Sequence, residues 1–259
     1  MRIHYKEPSA ITRFKETFGL ENLEEMEREF DGIFQRIRKY KDITPESRML
    51  EIGTGSGWIP IICCKKGLRC KGIDISPQLI DFAMETGAKF GIKPDIELGN
   101  IEETDIGESE YDVIIANCTF EHVEHWREGI RNVYRALKPE GLFFFYSTNK
   151  FAVRSGEYKL PFYSWLPDRA RYRLRMAIQG ADIMHLGIDF NEFTYYQLRG
   201  FFRKSGFTRV LDRVDIIDEE KIRSLKPPLG SAVRLVKKIG ILKDLVLLFY
   251  PETFFICIK

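Results

Sequence analysis

Short, nearly continuous apolar runs alternate with amphipathic stretches along the first half of the chain. The runs at residues 48–52, 68–74, 111–117 and 142–147, together with the short alternating stretch 95–98, predict five strands. Tyr111–Asn117 is apolar almost throughout, as expected of a parallel strand covered on both faces. The intervening stretches carry the helical period. Residues 8–40 read as helical, with Leu23, Met26, Phe30, Ile33, Phe34 and Ile37 at spacings of three and four. Trp58–Lys66 predicts a second helix stopped by Gly67. Ser76-Pro77 opens a third over Gln78–Phe90, with proline in its first turn. Glu124–Leu137 predicts a fourth. Residues 42–47 and Lys138-Pro139-Glu140-Gly141 read as turns. Such a β-α alternation with short connections specifies a mostly parallel sheet between helix layers.

The rhythm changes after Asn149. Residues 150–190 hold Pro161, Pro167, glycines and many aromatics, which reads as an insertion. Phe193–Gly206 returns to helix, with Tyr196, Leu198, Phe201 and Phe202 as apolar positions. Phe207–Ile217 predicts a sixth strand. Residues 218–250 form a second insertion with an apolar helix, and Phe254–Lys259 predicts a closing strand.

The chain has 259 residues, 44 % of them hydrophobic, enough for one α/β domain with decorations. Its net charge of +2 gives no argument for bulk nucleic-acid binding. The five cysteines have no zinc-ligand spacing and read as reduced, mostly buried thiols. Neither a leader pattern in the first 15 residues nor an apolar run of about 20 residues is seen. The expected location is therefore cytoplasmic.

The most specific stretch is Arg48-Met-Leu-Glu-Ile-Gly-Thr-Gly-Ser-Gly57. An apolar strand ends in an acid, and Gly53, Gly55 and Gly57 follow at alternate positions. Glycine lets the backbone turn tightly and approach a ligand. A strand, such a loop and then a helix make a nucleotide-cofactor site. A dinucleotide fingerprint, G-x-G-x-x-G, would place its third glycine at position 58, which is Trp58. Asp74 ends the second strand, where an acid bridges two ribose hydroxyls in several cofactor classes.

The E-x-G-x-G-x-G pattern from Glu51 resembles motif I of the class I S-adenosylmethionine-dependent methyltransferases. Gly99-Asn100-Ile101-Glu102, Phe120-Glu121-His122-Val123 and Leu137-Lys138-Pro139-Glu140-Gly141 are similar to that family's segments after strands three and four and before strand five. The resemblance spans about residues 46–149 and 190–211. It implies a Rossmann-like, doubly wound α/β fold. Seven mostly parallel strands would end in an antiparallel one, with helical insertions. As one domain over 1–259, it would comprise a helical cap (1–45), a cofactor core (46–149 and 190–217), a substrate lid (150–189) and a helical extension with the last strand (218–259).

The resemblance also implies roles. Gly53, Gly55 and Gly57 would pass the methionine part of S-adenosylmethionine, with Glu51 orienting the loop or its water. Asp74 would take the ribose, Ile75 the adenine edge, Asn100 the adenine amino group with Ile101 beside it, and Asn117 would lie near the sulfonium. Asn100 replaces the usual aspartate. The product would be S-adenosylhomocysteine. Quinone-type O-methyltransferases share the Glu121-His122 pair, but their metal-holding carboxylate three residues before that glutamate is Cys118 here, so no metal is expected.

Methyl transfer needs the nucleophile, methyl and sulfur aligned in a dry site. For a hydroxyl acceptor a base helps, and histidine suits neutral pH. His122, after the fourth strand, is one candidate; backbone bonding is its alternative. His185, near Asp182 and Asp189, is the weaker one. Aromatics (Phe151, Tyr158, Phe162, Tyr163, Trp165, Tyr172) and cations (Arg154, Lys159, Arg169, Arg171, Arg173, Arg175) in the insertion suit an acceptor with a ring or apolar body and an anionic group. A lid with solvated arginines is the competing reading. Residues 231–249 form an amphipathic stretch that either packs on its own domain or contacts an anionic membrane and feeds a lipid-linked substrate. The acceptor is thus expected to be small or lipid-linked, methylated at oxygen, with nitrogen or carbon as alternatives. Nucleic acid is not expected, and oligomeric state is not legible. A nicotinamide oxidoreductase and a non-catalytic cofactor-binding protein are the competing classes.

Overall fold

The computed structural model describes residues 22–154, 161–179 and 191–259. Among the described residues, seven strands form one sheet in the order β3-β2-β1-β4-β5-β7-β6. They are β1 (Arg48–Ile52), β2 (Arg69–Asp74), β3 (Asp95–Leu98), β4 (Tyr111–Asn117), β5 (Leu137–Thr148), β6 (Arg209–Asp212) and β7 (Glu252–Ile258). The β1–β2, β1–β4, β2–β3 and β4–β5 pairs are parallel, and β7 runs antiparallel between β5 and β6. This is the Rossmann-like doubly wound arrangement with an antiparallel last strand.

Alternation along the strands divides the core into two layers. Met49, Val113, Ile115, Leu142, Phe144 and Ile256 face α1 (Leu23–Arg38) and α2 (Trp58–Lys65). Leu50, Ile114, Phe143, Phe145 and Phe255 face α4 (Trp126–Ala136) and α6 (Tyr195–Lys204). Both faces are covered, so the strands are apolar at successive positions. Each fully buried phenylalanine on β5 stabilises by about 2–3 kcal/mol. The α1 spacing read from sequence is the buried face: Met26, Phe30, Ile33, Phe34 and Ile37. Asn22 caps it by accepting from the Glu24 amide at 2.9 Å. The remaining helices are α3 (Pro77–Lys89), α5 (Asp168–Gln179), α7 (Glu219–Ser224), α8 (Pro227–Lys238) and α9 (Gly240–Phe249).

Four boundaries differ from the sequence reading. The 138–141 turn lies within β5: Tyr111 pairs with Leu137 and Val113 with Leu142, so Lys138–Gly141 bulge out, with Glu140 at φ 57°. The predicted 124–137 helix is present as α4 but starts two residues later, at Trp126, after a 3₁₀ turn at Phe120–His122. The predicted 207–217 strand stops at Asp212, whose Oδ1 accepts from the Val214 and Asp215 amides and turns the chain. The 231–249 stretch is not one helix: Ile239 is extended (φ −106°, ψ 103°), ending α8 and starting α9. The end of α9 is fixed because the Asn149 amide nitrogen donates to the Leu247, Leu248 and Tyr250 carbonyls. No described helix is long and apolar enough to cross a membrane.

Candidate active site

The carboxyl ends of β1, β2 and β4 converge where ligands bind in open α/β sheets. The β1–α2 loop has Gly53, Gly55 and Gly57 at φ 66°, 53° and 73°, the left-handed region that favours glycine. At two of them space is also limiting. A Cβ on Gly53 would sit 2.3 Å from Thr119 Cγ2, and one on Gly57 would sit 2.7 Å from Ala83 Cβ.

Glu51 lies buried beneath this loop and accepts from Thr54 Oγ1 at 2.6 Å. Burial pushes its carboxyl up to about 8, the Thr54 bond opposing and the nearby Asp74 charge adding to the rise. Glu51 is therefore largely neutral at pH 7 and acts as a hydrogen-bonding strut. Thr54 occupies the space opened by Gly72 on β2, where a Cβ would meet its hydroxyl at 2.8 Å. The sequence reading missed Thr54, although a hydroxyl three residues after the acid was there to be noticed.

Asp74 at the end of β2 is buried. Its Oδ2 accepts from the Gly55 amide at 2.9 Å and its Oδ1 from the Ser76 amide at 3.0 Å. One carboxylate thus joins the glycine loop to the start of α3. Burial raises its pKa, while the Ser76, Gly55 and Ile75 amides and then the His122 charge counter the rise. With three amides on its two oxygens, the carboxylate keeps acceptor capacity for a hydroxyl donor. The adjacent Ile75 is 40 % exposed, an apolar surface at the cofactor end of the sheet, whereas Ile101 is 4 % exposed and belongs to the core. Asn100 is half-buried; its Oδ1 accepts from the Glu102 amide at 3.0 Å and holds the turn after β3.

Asn117 ends β4 beside Tyr146 of β5. Cys118 follows at φ 54°, an uncommon conformation for a non-glycine residue, with its amide bonded to the Tyr146 carbonyl at 2.9 Å. Thr119 Oγ1 then donates to the Ile52 carbonyl at 2.8 Å, which brings the β4 end against the glycine loop. Neither Cys118 as a strained hinge nor Thr119 as a packing partner of Gly53 is legible from spacing. His122, half-buried, closes a 3₁₀ turn with its amide donating to the Thr119 carbonyl, and it lies within electrostatic range of Asp74. Glu121 is buried and accepts from Ser147 Oγ at 2.7 Å. Asn191 clamps this turn, donating to the Val123 carbonyl at 2.6 Å. None of the five cysteines is disulfide-bonded, and no metal-holding group of three His, Cys, Asp or Glu is present among the described residues.

In the 150–190 insertion, His185, Asp182, Asp189, Tyr158 and Lys159 lie outside the described residues. Arg171 and Tyr163 are buried, and Arg171 pairs with the buried Glu192. Arg171 therefore fits neither the acceptor-facing nor the solvated reading of these arginines: it is a structural tie. Arg169 and Arg173 are exposed and, with Leu166, Pro167, Ala170 and Leu174, line a cavity of about 670 Å³ that includes no glycine-loop residue. Phe162 and Trp165 are also exposed, and Trp165 stacks on Phe249 of α9.

Residues 50–145 match the methyltransferase domain family. A ubiquinone biosynthesis O-methyltransferase of Rickettsia bellii is 26 % identical over 141 residues, 52 % of this chain and 57 % of that protein. A malonyl-[acyl-carrier protein] O-methyltransferase of Priestia megaterium is 33 % identical over 102 residues, 39 % of this chain and 36 % of that protein. The match thus spans little more than half the length of these relatives at most. The crystal structure of a SAM-dependent methyltransferase from Archaeoglobus fulgidus superposes with a TM-score of 0.57 at 17 % identity, covering 96 % of this chain and 99 % of that one. With the glycine loop, the buried Glu51 and Asp74 and the seven-stranded sheet in place, residues 50–145 carry the match to the methyltransferase domain, and the chain is similar in sequence and fold to S-adenosylmethionine-dependent methyltransferases of class I.

Proposed function

We propose that the chain moves a methyl group from S-adenosylmethionine to oxygen of a small or lipid-linked acceptor by in-line displacement, releasing S-adenosylhomocysteine. The observation that carries this is Asp74: a buried carboxylate bonded to both the glycine loop and the start of α3, with acceptor capacity left for a ribose hydroxyl. S-adenosylmethionine supplies a methyl group on a good leaving group, so the protein's task is alignment and exclusion of water. Gly53, Gly55 and Gly57 let the loop backbone pass the methionine part, over the Glu51–Thr54 strut. Ile75 offers the adenine an apolar surface, and Asn100 retains one acceptor lone pair and its amide donors. Asn117 lies at the methyl end, and His122 is the candidate base for an acceptor hydroxyl; His185 is the alternate.

The choice of oxygen is supported by the names of the two relatives, both O-methyltransferases. Nitrogen- or carbon-directed transfer on the same scaffold is the alternative. A lipid-linked acceptor at an anionic bilayer is supported by the exposed apolar residues of α8, α9 and the Ile239 link between them, among them Leu235, Ile241, Val246 and Phe249. Retention in the soluble fraction on flotation with anionic vesicles would contradict that part. Incubation with methyl-labelled S-adenosylmethionine and fractionated metabolites tests the whole reading. A labelled methyl ether or ester is expected, and label on nitrogen or carbon alone would overturn the oxygen assignment. On the identified acceptor, H122A is expected to lower kcat by about 100-fold; an unchanged rate would remove His122 as base.

A further inference from the structure

Arg213 lies in the turn after β6, among the rings of Tyr250 (4.3 Å to the centroid), Phe254 (5.6 Å) and Tyr146 (5.9 Å). The side chain is 22 % exposed and its guanidinium is hydrogen-bonded to the Tyr146 hydroxyl, but Nε and Nη2 are buried and, among the described residues, these two nitrogens have no hydrogen-bond acceptor. Glu252 stands 3.5 Å from Nη2, close enough for charge but without a hydrogen bond. Buried polar groups are nearly always bonded, and a guanidinium forms a planar fork suited to two oxygens of one anion. A second cation, Arg36 of α1, packs over Phe254 at 5.8 Å. Its pKa is lowered first by burial and then by Arg213, so two like charges are held together; Glu29 and Glu252 are the carboxylates acting nearby. Burial also pushes the Tyr146 phenol up, which keeps its hydroxyl a donor.

This cluster adjoins the transfer site. The Cys118 amide bonds the Tyr146 carbonyl at 2.9 Å, and the next residue, Thr119, packs on Gly53 of the cofactor loop. We propose that Arg213, with Arg36 and the Tyr146 hydroxyl as neighbours, binds the anionic group, carboxylate or phosphate, of the methyl acceptor. Its assignment to the acceptor rests on the methyltransferase reading above; anion binding itself does not. The aromatic rings around the guanidinium suit an acceptor whose ring or apolar body continues from that anion.

The test is calorimetric titration of benzoate and of inorganic phosphate into protein saturated with S-adenosylhomocysteine. At least one anion is expected to bind the wild type with Kd on the order of 1 mM. R213Q is expected to weaken it at least about tenfold and R36Q about threefold, with R213K between the wild type and R213Q and with S-adenosylhomocysteine affinity unchanged in all. Benzoate binding alone assigns a carboxylate-bearing acceptor, and phosphate binding alone a phosphorylated one, free or lipid-borne. Binding of neither anion by the wild type overturns the proposal, as does equal anion affinity in R213Q. Should R213Q not fold, unchanged anion affinity in R36Q and R213K overturns it. Loss of S-adenosylhomocysteine binding by the wild type would instead strike the methyl-donor reading, and titration without it still reads the anion site.

Discussion

Replacing Glu51 with Gln should make the protein more stable at neutral and alkaline pH. The side chain is buried and its carboxyl is held near 8, against 4.5 for the ordinary group. Below pH 4.5 both folded and unfolded chains carry the proton, and the site contributes nothing to the pH dependence. Between 4.5 and 8 the unfolded chain releases the proton while the folded one keeps it, so stability falls as pH rises; above 8 the loss is complete. At about 1.36 kcal/mol per pH unit, the interval of about 3.5 units amounts to about 5 kcal/mol, an upper bound for the effect. Gln keeps the oxygen that accepts from Thr54 Oγ1 but cannot ionise. Urea denaturation at pH 5, 7 and 9 measures this directly. The gap between E51Q and wild type should be small at pH 5 and widen in favour of the variant by several kcal/mol at pH 9. At pH 6, where Glu51 is neutral, the two should bind S-adenosylhomocysteine within about threefold. Parallel stability curves across pH, or a wild type that gains on E51Q as pH rises, would refute the reasoning.

D74N should weaken S-adenosylhomocysteine by about 100-fold in calorimetry, because its amide nitrogen would oppose the Gly55 or Ser76 N–H that the carboxylate now accepts. G53A should lose about 2–4 kcal/mol in urea denaturation, from its positive φ and the clash with Thr119, and adding T119A should recover part of that loss. K243M should cost about 3 kcal/mol, since Lys243 pairs with the buried Asp212 at 2.8 Å and Asp212 would be left without its cation.

The parallel core was legible because its signals are local. β1 and β4 begin and end where the apolar runs do, since each is covered on both faces, whereas β3 is a largely exposed edge strand whose four residues still match the stretch read as a strand. The glycine loop and Asp74 were legible for a similar reason: a φ near 60° at three alternate positions admits few residues but glycine. What escaped depends on contacts between distant residues. Thr119 meets Gly53 across 66 positions, and Ser147 meets Glu121 across 26. Asn149 caps a helix about 100 residues away. The 138–141 bulge resembled a turn because proline and glycine serve both, and only pairing with β4 distinguishes them. Arg171 looked like an acceptor ligand because its partner Glu192 lies 21 positions on, beyond any helical spacing. Ile75 and Ile101 follow their strands in equivalent places, yet one is exposed and the other belongs to the core.

The most direct test of the central claim is side-by-side calorimetry of the wild type with S-adenosylhomocysteine and with NAD. The account predicts one-site binding of S-adenosylhomocysteine with Kd on the order of 10 μM or tighter and no detectable heat with NAD. Binding of NAD with none of S-adenosylhomocysteine would contradict it.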